Sequence, residues 1–147
     1  MNGTGLDAFD ATVQESDIWL KSLMRRLHTD DRHTAYLMLR AALHALRDRI
    51  GPQNAVNFGA RLPLLLRGML FEGWHIASTP TGEHTTQQFL DQARARLPAM
   101  LAGDAERGVR ATFAVICERI DDGDVRKLVA VLPADLRRLW PASASRE

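Results

Sequence analysis

Hydrophobic residues recur along the chain at helical spacing, and polar breaks separate the periodic stretches. The clearest stretch has steps of three and four residues, at Tyr36, Leu39, Leu43, Leu46 and Ile50. That spacing places these side chains on one face of an α-helix. No stretch alternates apolar and polar residues between hairpin signals, as a strand would. The pattern therefore predicts an all-α protein, and we expect a single compact helical domain over residues 1–147.

The other periodic stretches predict further helices with one inward face each. The first is predicted from Phe9 to about His28, with an inward face formed by Val13, Ile18, Trp19, Leu23 and Leu27. The polar segment "HTDDRHT" then offers N-cap residues for the next helix. That helix is predicted to end at "GPQN", because Gly51 suits the residue after a helix and Pro52 the first position of the following one.

The motif Leu-Pro-x-x-Leu-Arg occurs twice, as "LPLLLR" and "LPADLR". Pro63 falls on Pro133 at a shift of 70 residues, and the two halves of the chain align at that shift without a gap. Proline has no N–H and a fixed φ, so each motif predicts a sharp corner between two helices. We predict two helical repeats, residues 9–74 and 84–141, joined by a linker at 75–83.

Composition and charge narrow the classes of function. Apolar residues make up 46% of the 147, enough for a packed core. The net charge of +1 disfavours a dedicated nucleic-acid binder. The longest apolar run, "LPLLLRGMLF", is interrupted by Pro63, Arg67 and Gly68, so we expect no membrane span. Cys117 is the only cysteine and the N-terminus lacks a secretory signal pattern, so we expect a cytoplasmic protein.

Several stretches together resemble a bacterial family known as domain of unknown function 2267. They are "LRDRI", "RLPLLLRGM" and "EGW" in the first half and "ERIDDGDVRKLVAVLPADLRRLWP" in the second. The resemblance runs from about Asp17 to Pro141. It implies a helical bacterial protein of the cytoplasm. It implies no activity and supplies no catalytic residues.

Phe71 and Trp74 have no counterparts in the second half, which ends at Trp140 and Pro141. One interpretation is that Trp74 covers the seam between the halves, where a large ring with one polar N–H fits well. The other is that Phe71 and Trp74, with Arg67, form an interaction surface for a protein partner.

Arginines also recur in both halves at the shift of 70 residues: Arg40 with Arg110, and Arg67 with Arg137. One interpretation is structural, in which Arg67 and Arg137 bind corner carbonyls or pair with acidic residues of the long helices, Asp48 and Glu118. The alternative is an anion site built from arginines of both halves.

The chain carries no pattern that predicts a catalytic, cofactor or metal site. Its five histidines lack the spacing of helical metal ligands, and phosphate-binding, dinucleotide and nucleophile motifs are absent. His44 lies beside the apolar stripe and is predicted at its margin, and Cys117 is predicted at the edge of the core. We expect a non-enzymatic protein that acts through a protein partner or self-association, with an anion- or ligand-binding bundle as the alternative.

Overall fold

The computed structural model describes residues 3–145, and over that range the chain forms nine α-helices and no strand. Two single 3-10 turns, Ile76–Ser78 and Ala142–Ser145, complete the regular structure. The helices are α1 (Asp7–Leu27), α2 (Arg32–Ile50), α3 (Pro52–Gly59), α4 (Leu64–Phe71), α5 (Thr86–Ala95), α6 (Ala99–Ala102), α7 (Ala105–Arg119), α8 (Asp122–Ala130) and α9 (Ala134–Arg137). The predicted all-α, single-domain fold is therefore confirmed.

Helix α2 lies at the centre of the domain. It packs against α1, α3, α4, α5 and α7, and every residue from 41 to 48 is buried. The predicted stripe of leucines supplies one face, while Ala41, Ala42 and Ala45 let neighbouring helices approach the other faces closely. A helix that is covered on all sides can hold polar side chains only if they find partners inside the protein.

The helix boundaries follow local signals in the sequence. Asp31 caps α2 by accepting a hydrogen bond from the backbone N–H of His33 at 3.0 Å. Gly51 ends α2 with φ +85°, a conformation that other residues rarely adopt, and Pro52 is the first residue of α3. Both features of "GPQN" are as predicted.

The two Leu-Pro motifs form corners of the same backbone geometry. Pro63 has φ −54° and ψ 148°, and Pro133 has φ −56° and ψ 149°. Each proline is followed at once by a helix, which starts at Leu64 in the first half and Ala134 in the second. The corners are thus confirmed, whereas the duplication of the whole 70-residue unit stays a prediction.

Both halves contribute to one core. In the second half, Phe113 stacks on Trp140 with ring centroids 4.1 Å apart and lies 6.0 Å from Phe89. At the shift of 70 residues, Phe113 and Trp140 correspond to Leu43 and Leu70, which are fully buried. At these two positions the core therefore has aromatic side chains in the second half and leucines in the first.

Four side chains lie where their helical pattern did not predict them. Val13, Ile18 and Tyr36, predicted inward, are exposed, although Ser16, Trp19 and Ala35 close to them in the chain are buried. His44, predicted at the margin of the core, is buried between α2 and α4. Among residues 3–145, no helix combines the length and apolar character needed to cross a membrane.

Candidate functional site

An open apolar groove runs between the N-terminal part of α1, the start of α2 and helix α4. Its volume is about 850 Å³, and it is lined mainly by Val13, Leu20, Tyr36, Leu65, Met69 and Phe71. We call it the α1–α4 groove. Most of its accessible lining is apolar.

Polar contacts fix the walls of the α1–α4 groove relative to one another. The backbone N–H of Leu65, at the start of α4, donates to the hydroxyl of Thr12 on α1 at 3.0 Å. On the opposite side, Asp17 of α1 pairs with Arg32 at the start of α2. It also pairs with Lys21 one turn along α1, at 3.1 Å. One contact therefore fixes α4 against α1, and the other fixes α2 against α1.

Side chains of α2 hold the C-terminal end of α4. The ring Nε2 of His44 lies 2.7 Å from the carbonyl oxygen of Met69, so this nitrogen carries the proton and donates it. The guanidinium of Arg47 donates to the carbonyls of Leu70 at 2.8 Å and Glu72 at 3.1 Å. These carbonyls belong to the last turn of α4 and the residue after it, where helical backbone partners run out. The carbonyl of Met69 also accepts from the backbone N–H of Glu72 at 3.3 Å.

Phe71 lines the groove, and Trp74 lies behind it. The two rings stack with centroids 5.3 Å apart, and the guanidinium of Arg47 lies 6.0 Å from the Trp74 ring. Gly59 of α3 makes room for Phe71, since a Cβ at that position would come within 2.7 Å of its ring. Within residues 3–145, the buried indole N–H of Trp74 has no acceptor. Trp74 therefore supports the groove wall through its ring alone.

Arg67 and Arg137 both bind the carbonyls of their own corner. Arg67 donates to Gly59 at 2.9 Å and to Leu62 at 3.2 Å. Arg137 donates through the same two nitrogens, Nε and Nη2, to Leu132 at 3.0 Å and Ala130 at 3.1 Å. Of the predicted interaction surface, Phe71 thus lines the groove, whereas Trp74 and Arg67 support the elements behind it.

The other two candidate arginines are bound within their own halves. Arg40 donates from Nε and Nη2 to one carboxylate oxygen of Glu72, at 3.1 and 3.0 Å. Arg110 donates to Glu106 at 2.9 Å and to the carbonyl of Arg138 at 2.8 Å. Each candidate arginine therefore already has acceptors from the half that carries it.

The carboxylates beside the groove are held in ion pairs. Hydrogen bonds from Arg32 and Lys21 hold the pKa of Asp17 below its ordinary value of 3.8, so this group is ionised at neutral pH. Glu72 accepts both hydrogen bonds from Arg40. A general acid needs a proton to give near neutral pH, and Asp17 has none. The apolar lining between these ion pairs suits the groove to apolar contact.

The sequence interpretation missed the side chains that build this site from α2. Arg47 and His44 lie beside the leucine stripe of α2, and the stripe alone does not predict that they are buried. The signal that could have placed them inside is the run "AALHALRD", since small apolar residues at Ala41, Ala42 and Ala45 widen the apolar surface beyond one face. Tyr36 lines the groove instead of packing in the core. The spacing of apolar residues is the same in both cases, so the sequence alone does not distinguish a groove residue from a core residue.

Similarity to a known family covers most of the chain. A family model described as "Uncharacterized conserved protein (DUF2267)" matches residues 16–139, which include the corners, the central helix α2 and most of the groove. No curated protein matches the chain. The chain belongs to this family, domain of unknown function 2267, as its sequence motifs predicted.

Proposed function

We propose that this protein is a non-enzymatic interaction module of the cytoplasm and that the α1–α4 groove binds an amphipathic helix of a protein partner. The observation that carries the proposal is the apolar lining of an open groove whose walls are all helical. Phe71, which the sequence singles out because the second half has no equivalent, contributes to that lining.

The helical walls favour a helix as the occupant. Backbone N–H and C=O groups inside an α-helix are bound to each other, so the walls offer an extended peptide no edge to pair with. An occupant must therefore satisfy its own backbone groups, and a helix does so while presenting apolar side chains at spacings of three and four. Its polar face would meet the paired charges of Asp17 and Glu72 at the rim.

The anion-binding alternative gains no support from the contacts of its candidate residues. The guanidinium groups of Arg67 and Arg137 bind corner carbonyls, and those of Arg40 and Arg110 bind carboxylates of their own halves. An anion would have to displace these acceptors. We therefore place function at the groove.

Site-specific photocrosslinking in cells that produce the protein tests the proposal. Leu65 lines the groove and Leu64 does not, yet the two residues are adjacent in the first turn of α4 and are 54% and 59% exposed. A benzophenone amino acid at position 65 is expected to crosslink to a helical segment, whereas the same group at position 64 is the matched control. Crosslinks to other secondary structure, or equal yields at both positions, would overturn the proposal.

A second variant pair measures the same contact without a photoreactive group. Leu65→Glu puts a charge into the groove, and Leu64→Glu puts the same charge beside it. Acidic residues are tolerated in the first turn of a helix, so both variants are expected to fold. The crosslinked partner, once purified, should bind Leu64→Glu as it binds wild type and should bind Leu65→Glu at least about tenfold more weakly.

A further inference from the structure

The first turns of α1 carry apolar side chains that the core does not cover. None of residues 7–15 is buried, and α1 contributes buried residues only from Ser16 onward. Leu6, Phe9 and Val13 are 51%, 55% and 49% exposed. Their spacing of three and four places them along one face, and Val13 on that face also lines the α1–α4 groove. An exposed apolar stripe therefore runs along α1 into the groove.

The start of α1 has a defined structure even though it lacks packing. The backbone N–H of Thr4 donates to Asp10 at 2.6 Å, and the carbonyl of Leu6 accepts hydrogen bonds from Phe9 and Asp10 at 3.0 Å each. Residues 7–15 continue into the packed part of α1, and packing on their apolar face would stabilise these first turns further. An amphipathic helix of the kind that the groove should bind is thus already present in the chain.

This extension and the groove are both particular to the first half of the chain. At the shift of 70 residues, residues 7–15 correspond to 77–85, which form part of the linker and the N-cap of α5. Phe71 and Trp74 likewise have no counterparts in the second half. The first half therefore has an exposed helical segment and an apolar groove that the second half lacks.

Charges at the two sites are complementary. The first turn of α1 is acidic, with Asp7 and Asp10. The rim of the groove carries Arg32 and Arg40, which pair with the two carboxylates of the groove but remain partly exposed. Asp7 and Asp10 of an entering helix would lie near these partly exposed arginines and could share them with Asp17 and Glu72.

We infer that the helix bound in the groove is α1 of a second copy, so that each copy places Leu6 and Phe9 in the groove of the other; this inference rests on the proposed helix-binding function. A twofold arrangement of this kind uses the same two surfaces on both copies. A reciprocal dimer buries two such helix–groove contacts instead of one, and stable interfaces bury roughly 800 Å² per partner.

Sedimentation equilibrium over a range from low micromolar to millimolar chain tests the inference. The wild-type mass is expected to rise from 16.4 kDa towards twice that value as concentration increases. Phe9→Glu and Leu65→Glu should each weaken dimerisation at least about tenfold, since each places a charge in the apolar contact. Leu64→Glu should dimerise as wild type does. All three positions are exposed and lie in first helical turns, and circular dichroism checks that each variant folds.

Mixing two defective variants tests the geometry of the contact. Phe9→Glu has an intact groove, and Leu65→Glu has an intact α1 stripe. In a mixed dimer one reciprocal contact is free of both substitutions, so the mixture should associate more tightly than either variant alone. Dimers that pair α1 with α1 would show no such recovery, and that result would overturn the inference.

The outcomes separate this inference from the proposed function. A wild-type chain that stays at monomer mass throughout, while position 65 crosslinks to a helix of another protein, overturns the second-copy inference and leaves the groove as a helix-binding site. Crosslinks from position 65 to α1 of the same sequence support both. A monomer without crosslinks specific to position 65 overturns both.

Discussion

Arg96, which follows α5, binds Asp48 on the central helix α2 with a distance of 2.6 Å from Nη2 to Oδ2. The other carboxylate oxygen of Asp48 accepts from the neighbouring Arg47 at 2.8 Å. Arg47 in turn binds the end of α4 through the carbonyls of Leu70 and Glu72. One buried carboxylate therefore connects the second half of the chain to the segment that forms the groove wall.

Asp48→Ala is expected to lower the free energy of unfolding by about 3–5 kcal/mol, because it leaves the buried guanidinium of Arg47 without its counter-charge. Urea titration followed by circular dichroism measures the change. Arg94→Ala is the control, since Arg94 lies on α5 and pairs with Asp91 at the surface. That exposed pair should contribute less than about 1 kcal/mol. Equal effects of the two substitutions would contradict a structural role for Asp48.

Trp74→Phe should leave the free energy of unfolding within about 1 kcal/mol of wild type, since it keeps a ring against Phe71 and removes an indole N–H that has no acceptor among residues 3–145. Trp74→Ala should cost about 2 kcal/mol or more, since it removes the stacked ring. Thermal and urea unfolding of both variants test the pair. A Phe variant as unstable as the Ala variant would show that the N–H matters.

The sequence predicted the elements that depend on local chemistry. The corners at Pro63 and Pro133 and the helix break at Gly51 follow from backbone restrictions that act within a few residues. It did not predict which apolar positions are covered. Val13 and Tyr36 have the spacing of core residues but line the groove, because periodicity identifies an apolar face without identifying what packs on it.

The polar side chains of α2 could not be placed from periodicity for a related reason. Arg47, Asp48 and His44 are buried because five helices surround α2, which is a property of the tertiary fold. An interaction surface at Phe71 was predicted from its missing counterpart in the second half and stays a prediction, and the structure shows that Phe71 lines the α1–α4 groove. Trp74 lies against Phe71 and near Arg47, which are tertiary contacts that periodicity does not predict.

Stability should fall as the pH decreases below about 6.5 because of His44. Burial holds the pKa of His44 below its ordinary value of 6.5, so the folded state keeps the imidazole neutral where the unfolded chain binds a proton. The unfolded state then binds more protons, and the free energy of unfolding decreases by at most about 1.4 kcal/mol per pH unit from this group.

His44→Gln isolates that contribution, because glutamine does not titrate and its amide can donate to the carbonyl of Met69. Urea unfolding at about pH 7.5 and about pH 5.5 should give a larger loss for wild type than for His44→Gln. Because both proteins contain the other histidines, subtracting one loss of unfolding free energy from the other leaves the contribution of His44. An identical loss in both would contradict the assigned role of His44.

Cys117 should react slowly with thiol reagents in the folded protein. Burial raises the pKa of its thiol above the ordinary value of 9.0, and Asp122 adds to the effect, so little thiolate is present at neutral pH. We expect alkylation by iodoacetamide to be several-fold slower in the native protein than in urea, as measured by mass spectrometry. Equal rates under the two conditions would place the thiol in solvent.

Arg67→Met should lower the free energy of unfolding by about 1–3 kcal/mol, because it keeps the apolar stem but removes the donors to the carbonyls of Gly59 and Leu62. Arg137→Met should have a smaller effect at the second corner, because Arg137 is exposed whereas Arg67 is half-buried. Arg61→Met is the control, since Arg61 pairs with Asp124 at an exposed position and should matter by less than about 1 kcal/mol.

Inorganic phosphate distinguishes this structural role from anion binding. Phosphate stabilises most folded proteins because it is excluded from their surface, so a rise in melting temperature for wild type alone carries no information. A bound anion would add a term that disappears when its arginine is removed. We expect phosphate to raise the melting temperatures of wild type, Arg67→Met and Arg137→Met equally, whereas a larger rise for wild type would favour an anion site.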